Sequence, residues 1–589
     1  MKQWELKAAF ESADRPDLAL ITNHGYAGVE IPVGGAPDTG GQNMYVNALA
    51  LALEKLGYRV TIFARGGFAF FNSDKVRDEP EFMTPNIRYV YIPGGGPEFI
   101  RKEDIAIALD EELQWLDDFI RKEATVRGCR PWQVYKAVNS HYWDAAVLGV
   151  RLVERWRNDV ALELIHRLLD GVIAQSRLEE VDRDRHWMAL GEAPVYHLGS
   201  LLLECEGSPA TPIVQRVNAC ASRWAAARQK GANAQSMICD MVDDALSKTA
   251  GSMAPTLHSL IASEALGLAL LTLEPNLAQW LKDKLDLVDT HVWTPHSLAE
   301  LKDENYRTRP PEVRRNLKFC ERRDHERMVC DRTRLFASTS TEIAERLRSH
   351  YRVEAEQIFY FPPCIDRSVF KRYSAQECES TWQYLSDISG VALDTLKNSK
   401  ILFETSRMDH TKRKDLLLDA FSRICDDFNN VYLFIGGGPE NDVFRDLKKQ
   451  LDDDTKLRGK AFLTGFIPEQ NIGPLFSMAS IYVSASEMEG FGMSVSQAAA
   501  AHTSVICSDL VPFAVQYVPE DAVIVHAGDV EDFAGAMHRL LLDDDERDWR
   551  AAGLAEKVRV LDWVTQAESF IEYLRDSGVQ VPKALASGK

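Results

Sequence analysis

The feature that most constrains this chain is an alternation of short apolar strands with helical stretches that occurs twice, once near each end. Leu18–Thr22, Arg59–Phe63, Arg88–Ile92 and Val134–Asn139 are apolar or β-branched runs, with Tyr45–Leu56 and Glu103–Lys122 between them at helical spacing. The period returns with strands Ile401–Thr405, Val431–Ile435, Ala461–Thr464, Ser480–Val483 and Ser504–Cys507, interleaved with helices Leu416–Phe428, Val443–Leu451 and Val495–Ala501. Parallel strands need a crossover, and a helix is its usual form, so this pattern predicts two doubly wound α/β units. Helices are also expected over Glu531–Leu542 and Thr565–Leu574, with no strong pattern from Gly578 to Lys589.

Between the two units the alternation stops. Residues 150–287 are dense in helix formers, broken at Pro209, Pro212 and Gly251–Pro255, and hold Trp156, Trp187, Trp224 and Trp280. They read as an all-helical insertion with a core of its own, serving as a structural or oligomer-forming module or as a lid. The expected domains are therefore 1–149 with 288–395, the insertion 150–287, and 396–589. A length of 589 residues accommodates that many units. The charge balance, 68 basic against 88 acidic residues, argues against sequence-blind nucleic-acid or membrane binding, so any anion site is local. Ten scattered cysteines without metal spacing read as buried thiols of a reducing compartment. With no signal peptide at the N-terminus and no apolar run near membrane length, a cytoplasmic location is expected.

Three loops concentrate chemistry. Gly34-Gly35-Ala36-Pro37-Asp38-Thr39-Gly40-Gly41-Gln42-Asn43 follows the first strand and opens a helix, where bare backbone and a helix N-terminus suit phosphate or sugar hydroxyls. It lacks the Gly-x-Gly-x-x-Gly spacing, and Ala64-Arg65 rather than an acid follows the second strand, which disfavours a nicotinamide site. Ser406-Arg407-Met408-Asp409-His410-Thr411-Lys412 follows a strand in the second unit, and its two cations can converge on one anion. Ser484 to Gln497 again joins strand to helix: Gly490 and Gly492 bare backbone N–H groups for a diphosphate, Glu489 is an acceptor suited to sugar hydroxyls, and Gln497 lies about two turns on.

The order of Gly40-Gly41-Gln42, Ser406-Arg407-Met408-Asp409 with Lys412, Gly436-Gly437-Gly438-Pro439-Glu440, Thr464-Gly465-Phe466-Ile467-Pro468 and Glu489-Gly490-Phe491-Gly492-Met493 resembles the retaining GT-B glycosyltransferases of family 4. Ser140-His141-Tyr142, Thr294-Pro295-His296-Ser297-Leu298, Ser338-Thr339-Ser340 and Phe361-Pro362-Pro363-Cys364-Ile365-Asp366 bring to mind the sucrose-phosphate, sucrose and mannosylfructose-phosphate synthases within it. The resemblance spans about 1–149 and 290–575 and implies two Rossmann-like domains facing across a cleft. It implies that Arg407 and Lys412 hold the diphosphate of a nucleotide sugar such as UDP-glucose, that Glu489 binds the donor sugar, and that Gly41 and the backbone of Gly490, Phe491, Gly492, Met493 and Ser494 assist. Gln497 stands where the family has a second glutamate for the ribose, a departure that implies altered rather than lost nucleotide binding. His296 would lie between donor and acceptor sugars.

On the acceptor side the resemblance implies Gln42, Lys102, His141, Lys302 and, more loosely, Arg322 or Arg323. From Arg307 to Arg334 there are ten Lys or Arg against five Asp or Glu, a local excess that suits an anionic acceptor. The acidic triplets Asp452–Asp454 and Asp543–Asp545 read as solvated turns, and no metal or other cofactor is expected. The expected activity is retaining transfer of a hexose from a nucleotide sugar to a small phosphorylated sugar. The alternatives are a GDP-mannose donor, an unphosphorylated acceptor such as fructose or a sugar acid, and a weakened scaffold on the same fold.

Overall fold

The computed structural model describes residues 1–32, 36–174, 288–307, 310–438 and 440–583. Strands β1 (Asp17–Thr22), β2 (Arg59–Gly66), β3 (Glu81–Thr84), β4 (Ile87–Pro93), β5 (Val138–His141), β6 (His291–Thr294), β7 (Leu335–Ser338) and β8 (Ile358–Tyr360) form one sheet. Its order is β3-β4-β2-β1-β5-β6-β7-β8, parallel except for β3 against β4. Strands β9 (Lys400–Thr405), β10 (Val431–Gly436), β11 (Ala461–Gly465), β12 (Ile481–Ser484), β13 (Ser504–Ser508) and β14 (Val523–Val525) form a second, all-parallel sheet in the order β11-β10-β9-β12-β13-β14. Every residue of β1, β2 and β10 is buried, as befits strands covered on both faces. Both units are Rossmann-like, as expected.

The winding direction reverses between β1 and β5 in the first sheet and between β9 and β12 in the second. At such a switch point the flanking loops splay apart beyond the carboxyl ends of the strands and leave a crevice. The four segments that leave these strands contain His24, His141, Ser406–Lys412 and Ser484–Ser494, so topology alone groups most of the expected site residues.

Three boundaries differ from expectation. The fourth strand begins at Val138, not Val134, because Pro131–Val134 forms a helical turn with proline at its first position, and pairing of Thr22 with His141 carries the strand to residue 141. The edge set at 149 falls inside one helix, Tyr142–Ala174, whose Val150, Leu152, Val153, Trp156 and Val160 are buried in the first lobe's core with Trp293 and Phe336. Trp156 thus serves the first lobe rather than a core within the insertion. The remainder of the insertion, 175–287, with Trp187, Trp224 and Trp280, lies outside the described residues.

The division at 395 also moves. Ile365, Leu385 and Leu396 pack in the second lobe's core, while Trp563, Ala567, Phe570, Ile571 and Leu574 of the helix Trp563–Asp576 pack in the first lobe's core against the helix Gly41–Lys55. The chain crosses between Cys364 and Ile365 and returns between Leu561 and Trp563. The two crossings lie side by side, with Ile365 N–H donating to Leu561 O at 2.8 Å. Apolar partition set this exchange: each segment joins the core that its own large side chains complete.

Candidate functional site

In the first lobe, His141 ends β5 and His296 follows β6. His141 Nδ1 and His296 Nε2 are 3.0 Å apart, with the rings stacked at 5.3 Å. Tyr45 presses edge-on against His296 and donates its hydroxyl to Phe361 O. Burial, then the neighbouring His296, drives the His141 imidazole well below its ordinary value, and burial pushes His296 down to about 3. Both rings are therefore neutral at neutral pH. His141 is fully buried, so it does not meet an acceptor directly as the sequence implied; the half-buried His296 is the ring at the surface of this pair. Gln42, in the first turn of its helix, donates to Thr22 Oγ1 and to His141 O, so its side chain bridges the ends of the two switch-point strands.

Beside this pair a cationic pocket is lined by Lys102, Tyr142, Lys302, Lys318 and Arg322, among others. Arg322 Nη1 donates to the Tyr142 hydroxyl at 2.5 Å and Lys302 Nζ approaches it at 3.3 Å, while the Arg322 guanidinium lies 4.4 Å from the centre of the tyrosine ring. Burial would raise the Tyr142 hydroxyl, yet Arg322, Lys302 and Lys102 bring it below its usual value, which registers the positive potential there. Tyr142 has φ +78, a left-handed conformation costing a tyrosine on the order of 1 kcal/mol. The turn aims its ring into the cluster, where it also packs on His24 at 4.4 Å. His24 is held in turn by Asp144 at 3.1 Å.

Of the expected acceptor residues, Lys102, Lys302 and Arg322 come together here. Arg323 does not: it points away, paired with Glu300 at 2.6 Å and Asp303 at 3.4 Å, because successive helical residues face different directions. Sequence reasoning passed over Tyr142 and Lys318, although Tyr142 lay inside the quoted Ser-His-Tyr run. It also passed over Asp38, which pairs with the Lys102 ammonium and accepts from its backbone N–H at 2.9 Å. Burial opposes the Asp38 carboxylate, but Lys102 outweighs it and holds the group below its ordinary range.

In the second lobe, Lys412 is buried, with Nζ 2.5 Å from Glu489 Oε1 and 3.3 Å from Ser486 Oγ. Arg407 is exposed. Burial raises the Asp409 carboxyl, but Thr411 and then the charges of Arg407 and Lys412 bring it below its usual value. The loops after β9 and β12 are stitched together by Glu487 N–H to Thr411 O at 2.8 Å. Gly492, with φ +102, caps the helix Met493–Ala500, and a side chain there would strike Val511. Gly490 has open space where a side chain would stand, Phe491 is buried in the core, and Met493 is exposed beside half-buried Ser494 and Gln497. The first turn of this helix thus presents free backbone N–H groups next to Glu489 and Lys412, the arrangement that favours an anion.

A residue absent from the sequence reading supports these loops. Lys414 is buried, 2.9 Å from Glu404, and donates to Ser406 O at 3.0 Å and Gly436 O at 2.6 Å. No signal in the sequence separates it from the exposed lysines nearby. Among the described residues no cluster of His, Cys, Asp or Glu is placed to hold a metal, and no helix is long and apolar enough to cross a membrane.

Comparison with known proteins places this geometry. Residues 392–557 match the family profile of glycosyl transferases group 1. Mannosylfructose-phosphate synthase of Agrobacterium fabrum is 37% identical over 157 residues, 26% of this chain and 30% of the relative. A D-inositol 3-phosphate glycosyltransferase of Corynebacterium glutamicum is 24% identical over 317 residues, 51% of this chain and 71% of that protein. Thus the chain spans under a third of the length of the first of these relatives. The solved structure of sucrose-phosphate synthase from Thermosynechococcus elongatus superposes with a TM-score of 0.57 at 17% identity, covering 95% of this chain and 99% of that one. That likeness extends the shared two-lobed GT-B architecture over both lobes, while the similarity to group 1 glycosyl transferases lies in the second lobe, at residues 392–557.

Proposed function

We propose that the protein transfers a hexose, with retention of configuration, from a nucleotide sugar to a small phosphorylated sugar, in the manner of a sucrose-phosphate synthase. The observation that carries this reading is the pocket in which Arg322 and Lys302 approach the Tyr142 hydroxyl and Lys102 and Lys318 complete a lining of four cations against Glu103 and Glu321. Four cations against two carboxylates in one pocket, in a chain of net charge −20, suit an anionic phosphate better than a neutral sugar. The stretch similar to mannosylfructose-phosphate synthase agrees with such an acceptor.

On the donor side, Arg407 and Lys412 would receive the diphosphate with the N–H groups that open the helix Met493–Ala500. Glycosidic cleavage leaves an extra charge on that diphosphate, so cations and dipoles fixed beforehand stabilise the transition state more than the ground state. Glu489, oriented by Lys412, would accept hydrogen bonds from donor-sugar hydroxyls, and Gln497 would offer its amide to the ribose diol. His296, neutral, would lie where the two sugars meet.

A matrix of UDP-, ADP- and GDP-hexoses against fructose 6-phosphate, glucose 6-phosphate and fructose tests the proposal. Transfer to a phosphorylated acceptor is expected, with Lys302→Ala raising the KM for that acceptor about tenfold or more while donor affinity stays unchanged. Preference for free fructose, or acceptor kinetics unchanged in Lys302→Ala, would overturn the phosphate assignment.

A further inference from the structure

We infer that His141 is a positioning residue that fixes the tautomer of His296 and thereby makes His296 a hydrogen-bond donor rather than a base toward the sugars. The contact joins Nδ1 of one ring to Nε2 of the other at 3.0 Å, and two neutral imidazoles can share one proton there in only two ways. If His296 Nε2–H donates, His141 must bear its proton on Nε2, a fully buried nitrogen with no hydrogen-bond partner. If His141 Nδ1–H donates, that buried nitrogen holds only a lone pair. A buried N–H left unpaired is the rarer and more costly of the two, so the proton belongs on His141 Nδ1.

The consequence passes to His296. With Nε2 accepting from His141, its own proton resides on Nδ1, which takes no hydrogen bond among the described residues. Tyr45, edge-on to His296 at 4.9 Å and anchored through Phe361 O, keeps the ring from turning over. The ring therefore offers an N–H and no basic lone pair. It can steady an oxygen that gains negative charge, and it cannot abstract the acceptor's proton. The pair extends the transferase reading by giving His296 one of two opposite roles.

Two measurements test it. In 15N spectra of the histidine-labelled protein without substrate, His296 should show a protonated Nδ1 and an unprotonated Nε2; the reverse pattern would overturn the inference. The spectrum needs no turnover, so it fails or stands independently of the transferase reading. In kinetics, His141→Asn places an amide N–H where Nδ1 stands, whereas His141→Gln places its amide further out, where Nε2 stands. His141→Asn is expected to recover most of the turnover lost in His141→Gln and His141→Phe, which should fall on the order of 100-fold in kcat with the KM for donor little changed. Equal loss in all three variants, with circular dichroism showing each folded, would also overturn it.

Discussion

At the scale of single residues, the site is a set of charges held in readiness by specific partners. Arg407 and Lys412 leave the same strand, but only Lys412 is clasped, by Glu489 at 2.5 Å. Removing either cation should cost transition-state stabilisation: Arg407→Ala and Lys412→Ala are each expected to lower kcat/KM by on the order of 100-fold. Near-native values would remove both from the leaving-group site. Glu112 shows the opposite electrostatics. It is fully buried, accepts from Asn23 at 2.7 Å, and burial lifts its carboxyl to about 8 against those favourable contacts. The fold therefore favours its neutral form. That contribution is complete at acid pH and is lost as pH rises from the free-carboxyl value through about 8. Glu112→Gln cannot ionise, so the difference in stability between variant and wild type should shift in the variant's favour by a few kcal/mol from pH 5 to pH 9. Parallel melting curves across that range would refute it.

At the scale of elements, loops gain their accuracy from backbone that only certain residues tolerate. Gly437, with φ +111, lies so close to Ser406 O that an added Cβ would fall 1.8 Å from it, and the Lys414 ammonium bonds both Ser406 O and the neighbouring Gly436 O. Gly437→Ala should destabilise the second lobe by about 2 kcal/mol or more and displace the loop bearing Arg407, read as a lower Tm together with a raised donor KM. An unchanged donor KM would show that the two loops are not coupled. Strands of five or more residues were legible because their apolar runs are long enough to show; of the shorter ones β5 and β12 were legible, while β3, β7, β8 and β14 were not. The Lys414 tie escaped sequence reading for a related reason: its burial comes from two neighbouring loops, not from local periodicity.

At the scale of the whole molecule, the two lobes are joined by an exchange of segments. The helix Trp563–Asp576 buries Phe570 against Phe361 and Phe359 of the first lobe, although it follows the second lobe in sequence. Phe570→Ala should cost about 3–5 kcal/mol in the first lobe's unfolding transition. A loss confined to the second lobe's transition would contradict this packing. The sequence alone determined the two doubly wound units, since periodic burial is written locally, and also the loops with Arg407, Lys412 and Glu489, since glycines and charges after strands announce themselves; His296 entered only through the family resemblance. Only tertiary structure decided that residues 365–395 and 563–581 change lobes, that Arg322 enters the cationic pocket while Arg323 leaves it, and that His141 lies behind His296. Each of these depends on which surfaces meet across hundreds of residues, and contact between distant segments leaves no periodic trace in the chain.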